Sequence, residues 1–79
     1  MKELTDPTIK RLYQKYHAAI VRAAPDMETC DFYIRYWDGR YSYYVIEGEN
    51  APGSIAEAYA HREAWKQYKE ELKTNDRYI

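Results

Sequence analysis

Hydrophobic positions along this chain repeat with two different periods. Ile9, Leu12, Tyr13, Tyr16, Ile20, Ala23 and Ala24 recur at helical spacing and form one stripe, so a helix is predicted over residues 7–24. Lys10, Arg11, Gln14, Lys15 and Arg22 fall on the other side. Asp6-Pro7 reads as N-cap and first helical residue, because Asp accepts from an early backbone N–H and Pro fits where none is needed. Pro25 disfavours helical backbone at Ala24 and closes the helix there. A second stripe, Ala58, His61, Trp65, Tyr68 and Leu72, predicts a helix over residues 55–73. Ser54 and Glu57 before it have the spacing of a capping box.

Between the two stripes the period shortens. Cys30 to Glu47 reads CDFYIRYWDGRYSYYVIE, with Asp38-Gly39 between two runs of aromatic and β-branched residues. That is the sequence form of a hairpin with a two-residue type I′ turn. Strands are predicted over 30–37 and 40–47. Alternation then puts Phe32, Ile34, Tyr36, Tyr41, Tyr43 and Val45 on an apolar face, with Cys30 at its end. The opposite face mixes Asp31, Tyr33, Arg35, Trp37, Arg40, Ser42, Tyr44 and Ile46. The expected fold class is α+β: one two-layer α-β-β-α domain over residues 1–79, an antiparallel β-hairpin with both helices packed on its apolar face. Residues 25–29 and 47–53 are the expected connectors. Residues 1–5 are expected to be loose, and Tyr78-Ile79 to be a short apolar tail.

Size and charge narrow the function. A chain of 79 residues builds a thin core, and its ten tyrosines and two tryptophans supply large rings in place of aliphatic bulk. The formal charge of −1 argues against a general nucleic-acid coat. Residues 1–24 carry five basic and two acidic side chains, whereas residues 25–53 carry two basic and six acidic. The first helix is therefore the positive element. One cysteine permits no internal disulfide, which points to a reducing, cytoplasmic compartment. No apolar run is long enough to span a bilayer, and no signal peptide is visible.

Catalytic chemistry finds little support. Cys30 with His17 or His61 would be the only nucleophile–base pairing, and no third group is placed to orient it. Cys30 belongs with the apolar residues, and His61 sits in mid-stripe as a core or boundary histidine. Cysteine and histidine spacings do not make a zinc site, and no glycine-rich phosphate loop occurs. No cofactor, metal, small-molecule substrate or membrane is expected, and the chain is predicted not to be an enzyme.

The candidate site is the mixed hairpin face and its tip: Tyr33, Arg35, Trp37, Asp38, Arg40 and Tyr44. Tyr, Trp and Arg are the residues that dominate protein-interface energetics. A protein–protein interaction module is expected, of the kind by which phage and mobile-element proteins block a larger host protein complex. A rival expectation is a nucleic-acid-binding module using the same aromatic and arginine face with Lys10, Lys15 and Arg22. A third is a structural homodimer, since a lone hairpin leaves unpaired edges. The predicted hairpin followed by SIAEAYAHREAW resembles the sheet-inserting DNA-binding domains of the integrase arm type. Those use three strands and a basic sheet. Here two strands are predicted, only Arg35 and Arg40 are basic on the exposed face, and a helix precedes them.

Overall fold

The fold is given by a computed structural model that describes residues 6–47 and 52–76. These residues form three helices: α1, Pro7–Ala23; α2, Met27–Glu47; and α3, Pro52–Asp76. No strand occurs among the described residues. The expected α+β class and its β-hairpin are therefore corrected to an all-α fold. The loose N-terminus at 1–5, the Tyr78-Ile79 tail and most of the 47–53 connector lie outside the described residues.

Local signals set the ends of α1. The Asp6 carboxylate accepts from the N–H groups of Thr8 at 2.8 Å and Ile9 at 3.4 Å, with Pro7 opening the helix. At the other end Ala24 adopts left-handed backbone, φ 50°, and its N–H donates to the Ile20 carbonyl at 2.9 Å. Pro25 follows and prevents the helix from continuing.

The segment read as a hairpin is one helix for three reasons. Asp26 caps it: Thr29 N–H donates to the Asp26 carboxylate at 2.8 Å, and Cys30 N–H to the Asp26 carbonyl at 3.1 Å. Those Thr29 hydrogen bonds hold the Asp26 carboxyl below its ordinary range. Next, Met27, Cys30, Ile34, Trp37, Tyr41 and Tyr44 recur at alternating intervals of three and four and are buried or half-buried, while Phe32, Tyr36, Gly39, Tyr43 and Ile46 on the far side are exposed. Finally, Asp38-Gly39 makes no turn. Gly39 lies inside the helix, and a Cβ there would meet nothing within 4 Å.

α3 is the spine. α1 and α2 each pack on it and make no comparable contact with each other. α2 runs antiparallel to α3, because its contacts climb one helix as they descend the other: Asp31 with Lys69, Tyr33 with Trp65, Trp37 with His61, Tyr41 with Tyr59. Wholly buried Ala58, Ala60 and Ala64 keep α3 slim enough for close approach. The core is small: Ile20, Cys30, Ala64 and Tyr68, flanked by Tyr13, Tyr16, Trp65 and Leu72. Tyr68 also donates its hydroxyl to the Pro25 carbonyl at 3.4 Å, tying the α1–α2 corner to the spine.

Candidate interaction surface

α2 has two apolar faces, and they meet different fates. The inner face forms the seam with α3, where aromatic rings and charges interleave. Tyr33 stacks on Trp65 with ring centroids 4.8 Å apart. Trp37 stacks on His61 at 4.1 Å, with planes 7° apart. Tyr16 of α1 covers the other side of the same imidazole at 3.6 Å, with planes 9° apart. His61 is thus the middle layer of a three-ring stack that joins all three helices. Burial pushes its imidazole down to about 4. Nothing in the spacing of the chain paired His61 with Tyr16 and Trp37; the only visible signal was its place in the α3 stripe.

Charged groups border the seam. Arg62 donates to Asp38 at 2.8 Å and to Glu63 at 3.0 Å, and its guanidinium lies over the rings of Tyr41 and Tyr59 at 4.8 and 5.2 Å. Lys69 pairs with Asp31. His17 of α1 meets both carboxylate oxygens of Glu71 at 3.0 Å. Cys30 is wholly buried at one end of the seam, where burial, then Asp31 and Asp26, push its thiol up. A thiol so placed stays protonated and fills space as a small apolar group.

The outer face of α2 is solvent-exposed. Phe32, Tyr36, Gly39, Tyr43 and Ile46 follow one another at intervals of four and three and line up along the side turned away from α3. Phe32 is 60% exposed, Tyr36 40%, Tyr43 55% and Ile46 81%. Among the described residues, all the exposed large hydrophobic ones but Val21 lie on α2. Arg35 borders the stripe on one side and Arg40 on the other. Arg40 donates to the hydroxyls of Tyr36 at 3.0 Å and Tyr44 at 3.4 Å, and its guanidinium lies over the Tyr36 ring at 5.3 Å. Glu28, Asp31, Phe32, Arg35 and Tyr36 line a shallow groove at the N-terminal end of this face.

The helix redistributes the six residues expected to share one sheet face. Trp37 and Asp38 engage α3, through His61 and Arg62. Tyr33 stacks on Trp65 at the edge of the seam, and Tyr44 reaches Arg40. Arg35 and Arg40 are exposed on opposite borders of the outer stripe. Phe32, Tyr36, Tyr43 and Val45, which alternation assigns to a buried sheet face, are exposed instead.

Among the described residues, no three His, Cys, Asp or Glu side chains are grouped to hold a metal ion, and no helix is long and apolar enough to cross a membrane. No protein-family model matches the chain, and neither a curated protein nor a solved structure is found to be similar to it.

Proposed function

We propose that this chain is a non-enzymatic protein–protein interaction module that docks protein surface on the outer face of α2. The observation that carries the proposal is the continuous exposed stripe of Phe32, Tyr36, Tyr43 and Ile46, opposite a seam of similar composition that is already filled by α3. A helix apolar on both sides is a helix meant to be covered on both sides. Tyrosines and bordering arginines supply the ring area and guanidinium contacts that concentrate binding energy at interfaces. With all but Val21 of the exposed large hydrophobic residues among those described gathered on one helix, the chain acts by covering a surface, as a blocking or inhibitory protein does.

Position-dependent photo-crosslinking tests this. A benzophenone amino acid at position 43, facing out from the stripe, captures a discrete protein species in native lysate or in purified protein. The same group at position 14, on the polar side of α1, does not, and Phe32→Glu abolishes capture at 43. Equal capture at 14 and 43, or none at 43, would refute the docking role.

A further inference from the structure

We infer that the occupant of the outer face of α2 is a second copy of this chain, bound through an isologous antiparallel α2–α2 contact; this rests on that face being a docking surface, as proposed above. The stripe has the spacing of a coiled-coil seam. An antiparallel pair related by a two-fold axis sets Tyr36 against the second copy's Gly39, Phe32 against its Tyr43, and Ile46 against its Thr29. Large therefore meets small at the centre, and ring meets ring on either side.

Gly39 is the residue that single-chain packing leaves unexplained. A glycine weakens a helix interior, and here a side chain would meet nothing within 4 Å. The antiparallel pair gives the missing side chain a purpose, because the second copy's Tyr36 ring lies over the bare backbone. Charge selects the same orientation. A parallel pair would bring Arg35 against the second copy's Arg40, five positions on, as like charges. Antiparallel pairing places Arg35 beside Ser42 and Arg40 beside the ring of Tyr33, whose face accepts a guanidinium.

Area is sufficient. Taking each side chain at roughly 150–250 Å² and the exposures above, the stripe offers about 450 Å² per copy. With the arginine borders, the pair reaches about the 1,000 Å² that a specific interface requires. α1, which packs on α3 and not on α2, leaves the approach open.

Sedimentation velocity of the purified chain from about 1 to 300 µM tests the inference, with a reversible monomer–dimer equilibrium of micromolar Kd expected. Phe32→Glu and Gly39→Leu each weaken it at least about tenfold, while their helicity and dilute-solution melting are no lower than those of the parent chain. Orientation is read by oxidising an equimolar mixture of Phe32→Cys and Tyr43→Cys chains, which yields a 32–43 disulfide that neither chain forms alone. A monomer at every concentration, a dimer tightened by Gly39→Leu, or Phe32→Cys cross-linking to itself would each overturn the inference. A chain that sediments as a monomer yet captures a different protein through position 43 would refute the second copy and leave the docking surface standing.

Discussion

Trp37 and Tyr43 stand six residues apart on one helix, and both are aromatic, but only one is used by the fold. Trp37 is packed face to face with His61, whereas Tyr43 projects into solvent with more than half its surface open. The difference lies in position around the helix and not in chemistry. A helix offers α3 one stripe at intervals of three and four, and everything on the far side is left over, however apolar. Burial here follows geometry, and an exposed ring marks a surface the isolated chain does not fill.

The largest test of that contrast lies in the core. Tyr68→Ala removes a ring that is 8% exposed and packed with Ile20, Cys30 and Ala64. It is expected to cost about 3–5 kcal/mol, a large share of the stability of so small a domain, and to appear as loss of the cooperative thermal transition in circular dichroism.

A matched pair within α2 comes next. Trp37→Ala strips one layer from the three-ring stack and is expected to cost about 2 kcal/mol or more. Tyr43→Ala, measured in dilute solution, is expected to stay within about 0.5 kcal/mol of the parent chain. Similar losses for the two variants in urea titrations would erase the distinction between the faces.

The same stack makes stability depend on pH. His61 has a folded pKa of about 4 against 6.5 unfolded, so the unfolded chain binds more protons between those values. Stability is then complete above pH 6.5 and declines as pH falls toward 4. The shift alone bounds the loss at about 3 kcal/mol. The electron-rich faces of Tyr16 and Trp37 also attract an imidazolium, so a loss of about 1–2 kcal/mol is expected. His61→Phe should flatten the melting temperature across this window. An unchanged slope in that variant would assign the pH dependence to other groups.

The smallest expected effect is at the corner. Ala24 holds a left-handed conformation that glycine adopts without strain, so Ala24→Gly is expected to raise stability by about 0.5–1 kcal/mol, read as a higher urea midpoint.

Some of this was legible in the chain and some was not. The first helix announces itself through Asp6, Pro7 and a one-sided stripe, all local signals that no distant contact overrides. The stripe of Ala58, His61, Trp65, Tyr68 and Leu72 likewise lies within α3. The middle segment reads two ways because ten of the fifteen residues from Phe32 to Ile46 are large and apolar or aromatic, so periods of two and of 3.6 both find an apolar face. Asp38-Gly39 tipped the choice toward a turn. The opposing signal is Asp26, three residues before Thr29 and one before Met27, which caps a helix inside the expected 25–29 connector. The candidate site inherited the error in part: Tyr33, Trp37, Arg40 and Tyr44, at intervals of four, three and four, stay on one side of the helix beside the α3 seam, whereas Arg35 and Asp38 leave that side.

Gly39→Ala tests the two-faced helix most directly, because helix and hairpin demand opposite signs from it. Inside α2 the new methyl group meets open space and the residue gains helix propensity, so the melting temperature of the dilute protein should rise, by the equivalent of about 0.5–1 kcal/mol. In a type I′ turn the same position needs positive φ, which alanine resists, and the melting temperature would fall. A rise supports one continuous helix with an inner and an outer apolar face; a fall would contradict it.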